Sequence, residues 1–135
     1  MRRVLPFIFA LLTAGSVHAA DDPIGRALAL LGSDAPTTPI TVVHRPASSF
    51  GTRSFSVAWT DGTTIFVYDR SDAFKRAAKG DARPLAAAIA HEAFHVAHGP
   101  AEPPAYAEQL RVLRRLGARQ RDIQAVERAA RQFDR

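Results

Sequence analysis

Apolar residues recur every three or four positions in several stretches of the chain, which is the pattern of a helix with one buried face. Proline near the start and glycine near the end bound most of these stretches. We expect Asp81 to cap the third one, and Gly99 followed by Pro100 to end it. The predicted helices are 21–32, 69–79, 83–99, 100–116 and 119–135.

Three other stretches alternate or are rich in β-branched residues, which favours strands: 40–45, 53–60 and 63–69. Asp61-Gly62 separates the last two, and two-residue type I′ hairpins prefer this pair. Such a turn would place Thr60 opposite Thr63 and Trp59 opposite Thr64. The pattern predicts an α+β fold, in which an antiparallel or mixed sheet of about three strands packs on the helices.

The predicted hairpin gathers its large aromatic side chains on one face. Such a face can stack on nucleic-acid bases or on a sugar, but the helices that follow need a sheet to pack against. We therefore expect the aromatic face to lie in the core. The aromatic face holds Phe55, Trp59, Phe66 and Tyr68, and the other face holds Ser54, Ser56, Ala58, Ile65 and Val67.

The first nineteen residues have the pattern of a secretory signal peptide. Met1-Arg2-Arg3 is basic, residues 4–12 are apolar, and small residues precede a cleavage site after Ala19. The apolar run is short for a bilayer span, so we expect cleavage rather than anchoring. Residues 20–135 are then one domain with a modest core. The protein is predicted to be exported, to a periplasm or outside the cell, without a membrane span.

Composition excludes some functions and leaves others open. The chain has no cysteine, which excludes disulfides, thiolate metal sites and cysteine catalysis. Its net charge is +5, or +3 once Arg2 and Arg3 are removed with the signal peptide. Eight arginines between Arg111 and Arg135 would permit an anionic lipid, cell-wall or nucleic-acid partner. These arginines are scattered around the helices and no nucleic-acid motif accompanies them. We therefore expect them to form a solvent-exposed helix surface, and we expect no nucleic-acid partner.

The clearest chemical signal is His91-Glu92-x-x-His95 within the alanine-rich helix. Histidines four positions apart leave the same helix face one turn apart, so both rings can reach one ion. Glu92 lies about 100° further round the helix, beside such an ion rather than on it. This spacing is the zinc metallopeptidase signature, in which glutamate acts as general base. Random placement of the residues in a chain of this composition would produce the motif in only about one sequence in two hundred.

Catalytic zinc usually takes three protein ligands, so a third one is needed. Glu102 follows the Gly99-Pro100 break and can return toward His95 when the chain reverses. Glu108 could reach the same ion only if the following helix were shifted further along the motif helix. His98 is about 10 Å along the helix from His91, which is far for a shared ion. Spacing and reach favour Glu102 and leave the other two as alternatives.

His91-Glu92-x-x-His95, a turn, and then Glu102-x-x-Ala105-Tyr106 resemble the gluzincin type of zinc metallopeptidase, most closely its very small secreted members. The resemblance covers about residues 40–117. It implies one zinc on His91, His95 and Glu102, with Glu92 as base and a peptide or protein as substrate. The gap between His95 and Glu102 is much shorter than in large gluzincins.

No motif identifies the group that would bind the oxyanion. Tyr106, Tyr68 and His44 remain candidates for that role. A further hypothesis is that the strand at 64–69, if it is the sheet edge beside the motif helix, binds an extended peptide by strand addition. The alternatives to a peptidase are a metal-binding module without catalysis and a basic helical domain for an anionic cell-envelope partner.

Overall fold

The computed structural model describes Ala19, residues 22–44 and residues 57–134. Residues 1–18 of the predicted signal peptide and the predicted strand ends at 45 and 53–56 lie outside the described residues. Within these ranges, five helices and one small mixed sheet confirm the α+β prediction. The elements are α1 (Pro23–Leu31), a 3-10 turn (Gly32–Asp34), β1 (Ile40–Val43), β2 (Ala58–Thr60), β3 (Ile65–Tyr68), α2 (Asp72–Ala78), α3 (Arg83–His98), α4 (Glu102–Arg115) and α5 (Gln120–Arg131).

Side-chain caps start the first two helices close to where the sequence predicts. The Asp22 carboxylate accepts a hydrogen bond from the Gly25 N–H at 2.6 Å, and Pro23 follows in the first turn of α1. The Ser71 hydroxyl accepts from the Phe74 N–H at 3.2 Å at the start of α2. Each cap satisfies a backbone donor that has no partner inside its helix.

Asp81 has a different role from the predicted one. The N-cap position of α3 is Ala82, which offers no side-chain cap. The Asp81 carboxylate instead binds Arg83 Nε at 2.9 Å and Arg76 Nη2 at 2.8 Å, and these hydrogen bonds hold its pKa well below the usual range. Arg76 also reaches Asp122 on α5 at 2.8 Å. The carboxylate also accepts a longer hydrogen bond from the Arg83 N–H, at 3.4 Å. The predicted contact with the start of α3 is therefore present, but Asp81 is not the N-cap residue, and its guanidinium partners tie α2, α3 and α5 together.

The sheet has the order β1-β3-β2. β1 runs parallel to β3 with Ile40 opposite Ile65, and β2 runs antiparallel to β3 with Ala58 opposite Val67. β3 is therefore the central strand, which contradicts the expectation that 64–69 forms the edge beside the motif helix. In the part of the chain that the structure describes, β2 has a strand neighbour on one side only, and it packs against α3 more extensively than β3 does.

The hairpin between β2 and β3 is longer than the predicted two-residue turn. Thr60 pairs with Ile65 rather than Thr63, so the register is shifted by two residues. The Asp61 carboxylate accepts from the N–H groups of Thr63 and Thr64, both at 2.9 Å, and this holds the loop open. Local side-chain bonds of this kind compete with a tight backbone turn. A shift of two leaves every side chain on its predicted face.

The buried face of the sheet is the one with the smaller side chains. Ala58, Ile65 and Val67 are almost completely buried. Trp59 and Phe66 stack on the other face with ring centroids 5.7 Å apart, and both are partly exposed. The prediction of an aromatic core face was wrong, because this sheet packs closely against an alanine-rich helix and large rings would not fit between them.

α3 is the central helix of the core. All six residues from Leu85 to Ala90 are buried, and α1, α2, α4 and β2 pack around them. Four of the six are alanines, which let neighbouring elements approach the helix backbone closely. Burial falls beyond His91, so the last two turns of α3 emerge from the core. This arrangement anchors the helix firmly and presents its histidines at the edge of the core.

Candidate metal centre

The break between α3 and α4 reverses the chain over three residues. Gly99 has a φ of 95°, a left-handed conformation that glycine adopts readily, and its N–H bonds the His95 carbonyl at 2.9 Å. α4 then begins at Glu102, with prolines in its first turn. An acidic residue at this end of a helix is favoured by the helix dipole. The sharp reversal brings Glu102 back beside the end of α3.

Three predicted ligands meet at this reversal. His91 Nε2 lies 3.1 Å from Glu102 Oε2, and His95 Nε2 lies 3.2 Å from Glu102 Oε1. The two Nε2 atoms are 3.1 Å apart. Ligand atoms about 2.1 Å from one tetrahedral zinc would be about 3.4 Å apart, so these separations fit a shared ion. His91, His95 and Glu102 form a group that could bind a metal ion.

The far sides of both imidazole rings are held by hydrogen-bond acceptors. His95 Nδ1 lies 2.9 Å from the Gly99 carbonyl oxygen, which can only accept, so the proton of His95 is on Nδ1 and its Nε2 lone pair points into the cluster. His91 Nδ1 lies 2.9 Å from the Gln109 side-chain oxygen. Burial lowers the pKa of His91, so its ring is neutral at pH 7. Neutral imidazoles are the form that binds metals.

Sequence reasoning missed Gln109. It lies seven residues after Glu102 on α4, which is two helical turns, so both side chains project from one face of that helix. Once Glu102 is taken as a ligand, this spacing is the signal that could have found Gln109. No polarity pattern distinguishes it from an ordinary surface glutamine.

Glu92 lies beside the cluster, as its position on the helix predicts. Its carboxylate comes within 4.0 Å of His91 Nε2, and its side chain is only 12% exposed. Burial, with the nearby charge of Glu102, raises the pKa of Glu92 to about 8. A carboxyl group held out of water in this way is a stronger base, once ionised, than an exposed glutamate.

The alternative ligands do not join the cluster. Glu108 binds Arg111 on its own helix, with oxygen–nitrogen distances of 2.6 and 2.9 Å. His98 is exposed, and its ring packs on Phe94 with centroids 4.4 Å apart. Among the residues that the structure describes, Glu102 is therefore the third member that the geometry selects.

The three oxyanion candidates lie in different places. The Tyr106 ring contacts His91 edge-on, with centroids 4.5 Å apart, and burial together with the charges of Glu102 and Glu92 raises its pKa. Tyr68 lines a separate cavity, and His44 pairs with Asp69. Only Tyr106 contacts a residue of the cluster among these three.

An open cleft of about 470 Å³ runs between the cluster and β2. One wall is the β2 strand with the first hairpin residues, and the other is the end of α3 and the start of α4. Glu92 and two members of the ligand group, His95 and Glu102, face this space, so a molecule in the cleft would touch them. Its lining residues are Ala58, Trp59, Thr60, Asp61, Gly62, Glu92, His95, Gly99, Pro100 and Glu102.

Comparison of the chain with protein-family models, curated proteins and solved structures found no match. The gluzincin resemblance stays a prediction from the motif. Over residues 22–44 and 57–134, no helix combines the length and apolar character needed to cross a membrane.

The arginine-rich helices carry a smaller uncompensated charge than their sequence suggests. Arg111 and Arg115 lie within 3.3 and 3.8 Å of Asp34, and Arg114 lies 3.1 Å from Glu127. These exposed ion pairs neutralise part of the basic surface, although each adds little stability. An anionic partner therefore stays an untested alternative with less free charge to support it.

Proposed function

We propose that the protein is a zinc-dependent peptidase that hydrolyses peptide bonds. The observation that carries the proposal is the convergence of His91, His95 and Glu102 beside an open cleft, with a largely buried Glu92 that lines the same cleft. A purely structural metal site has four protein ligands and no open position, whereas the three ligands found among the described residues leave one position for a reacting molecule.

Zinc is the metal that the donor set favours. Two imidazole nitrogens and one carboxylate are borderline ligands that suit zinc better than calcium or magnesium, which prefer oxygen alone. A bound zinc supplies a Lewis acid that lowers the pKa of water and polarises a carbonyl group. Two imidazole ligands with one carboxylate leave a net positive charge at the ion, as such an electrophile requires.

Glu92 is the proposed general base. Its carboxylate takes a proton from the attacking water as the new C–O bond forms, and gives it to the amide nitrogen as the C–N bond breaks. The proton thus passes from water to the leaving amine, and Glu92 is regenerated. Burial raises the pKa of Glu92 in the metal-free chain, and the positive charge of a bound zinc would lower it again, which would make the ionised form available as a base near neutral pH.

Tyr106 is the proposed donor to the developing oxyanion. Because its pKa is raised, the phenol keeps its proton at neutral pH and can donate a hydrogen bond. Its edge-on contact with His91 holds the ring next to the ligand group.

An extended substrate would lie along β2. β2 forms one wall of the cleft, so an extended main chain in the cleft would run beside this strand. Binding through the main chain leaves sequence choice to side-chain pockets. The proposed substrate is therefore an unfolded or flexible segment rather than a folded domain. The signal-peptide pattern of the first nineteen residues suggests export, to a periplasm or outside the cell.

A mixed pool of peptides tests the proposal because it offers many different sequences to the cleft at once. We expect the zinc-loaded chain to cut internal peptide bonds, which mass spectrometry detects as new peptide ends. Chelation should stop cleavage and added zinc should restore it, since the ligand group provides the electrophile. Zinc binding with no new ends in any peptide would contradict the peptidase proposal and favour a metal-binding module.

A further inference from the structure

The end of α5 lies beside the start of α4, where the third ligand is. Arg114, in the last turn of α4, pairs with Glu127, whereas Tyr106, in the second turn of α4, stacks with Phe133. The two helices therefore run antiparallel, as expected for helices joined by a short loop. Tyr106 follows Glu102 by one helical turn on the same face of α4. Phe133, just beyond α5, is thus brought close to the ligand group.

Three aromatic rings form a row from this point to the metal centre. The Phe133 ring stacks on Tyr106 with centroids 5.6 Å apart and planes at 28°. The Tyr106 ring meets His91 edge-on, with centroids 4.5 Å apart and planes at 79°. Stacked and edge-on contacts are the two favourable arrangements of aromatic rings. Tyr106 is therefore enclosed between a metal ligand and Phe133.

Packing, rather than hydrogen bonding, holds the Tyr106 side chain. Within residues 22–44 and 57–134, its phenol hydroxyl makes no hydrogen bond that would fix the direction of the ring. The hydroxyl is left to donate to a bound molecule. Its position then depends on the two rings beside Tyr106, so removal of the Phe133 ring would let Tyr106 adopt other rotamers.

We propose that Phe133 is a positioning residue, which holds Tyr106 against His91 so that the phenol hydroxyl stays beside the ligand group. The inference rests on the proposed function, in which Tyr106 donates to the developing oxyanion. A small displacement of such a donor lowers the rate even when the fold is unchanged. Phe133 is 43% exposed and buries little surface, so replacing it should leave the chain folded.

Peptide hydrolysis by the zinc-loaded chain tests the proposal. Phe133→Ala should lower kcat about 2- to 10-fold with little change in KM, since an aromatic pair shifts a conformational equilibrium by about that factor. Phe133→Tyr keeps a ring at this position and should retain the wild-type kcat. The matched control is Val126→Ala, which shortens an apolar side chain of α5 two turns earlier and should leave kcat unchanged.

The Tyr106→Phe background separates positioning from a general effect on the fold. This variant keeps the ring and removes the hydroxyl, so the group that Phe133 positions is absent. Adding Phe133→Ala should then lower kcat by less than about twofold. A structural role would lower kcat by the same factor in both backgrounds. That result, or an unchanged kcat for Phe133→Ala or for Tyr106→Phe alone, overturns the proposal.

A second measurement does not require activity. Nuclear Overhauser contacts between the Tyr106 and His91 rings, recorded with and without zinc, report whether the tyrosine is held against the ligand. We expect these contacts in the wild type and in Phe133→Tyr, and weaker ones in Phe133→Ala. A chain that shows this pattern but cleaves no peptide supports the positioning role and contradicts only the peptidase. Equal contacts in all three proteins overturn the role of Phe133.

Discussion

Replacing Glu92 with glutamine is expected to lower peptide hydrolysis by about 10²- to 10⁴-fold while zinc stays bound, because general-base catalysis contributes about that factor. Glutamine has nearly the same shape as glutamate but cannot accept the proton of the attacking water. The zinc ligands are unchanged, since Glu92 lies beside the ligand group rather than in it. Rates with a cleaved peptide and zinc content by mass spectrometry are measured on the same preparation.

Glu108→Gln is the matched control for this experiment. Glu108 lies on the neighbouring helix α4, where it pairs with Arg111, and it does not belong to the ligand group. We expect its activity to stay within about twofold of the wild type, as for surface changes away from a site. Undiminished hydrolysis by zinc-loaded Glu92→Gln would show that another group acts as base.

The metal-free chain should become less stable as the pH rises, and Glu92 is the cause that we propose. Its pKa is about 8 in the folded chain, against 4.5 for an ordinary glutamate. The folded state therefore holds a proton that the unfolded state has released, and raising the pH from about 5 to 9 favours unfolding. At about 1.4 kcal/mol for each pKa unit, the loss is on the order of 5 kcal/mol.

Glu92→Gln should remove most of this loss. Urea unfolding with a chelator present measures the free energy of unfolding at pH 5 and pH 9. The variant should resemble the wild type at pH 5 and be the more stable protein at pH 9. The control is again Glu108→Gln, which should gain nothing at pH 9 because Arg111 lowers the pKa of Glu108. Parallel pH profiles for wild type and Glu92→Gln would contradict the assignment.

The ligand group could be predicted from the sequence because its geometry is local. Two histidines on one helix and a glutamate seven residues beyond, across a Gly-Pro break, leave the chain few conformations to choose from. His91, His95 and Glu102 accordingly lie together as expected. The identity of the ion and the base role of Glu92 are chemical properties that position alone does not supply, and they stay proposals.

The errors have two causes: a local side-chain interaction in the hairpin, and contacts between distant segments elsewhere. The hairpin register depends on the Asp61 side chain, which bonds two N–H groups of the loop and so outweighs the usual preference for a tight Asp-Gly turn. The central place of β3 follows from parallel pairing with β1, a contact between remote segments that no local pattern reports. The face that is buried depends on the alanines of α3, which leave room only for small side chains.

Metal analysis of the folded chain tests the three-ligand zinc centre most directly. The chain is purified without a histidine tag, supplied with zinc and freed of unbound metal, beside His95→Ala, Glu102→Ala and the control Glu108→Ala. We predict about one zinc per chain in the wild type and the control, and less than about a tenth of that in the two ligand variants. Equal zinc in Glu102→Ala and wild type, or a folded wild type without zinc, would contradict the proposed centre.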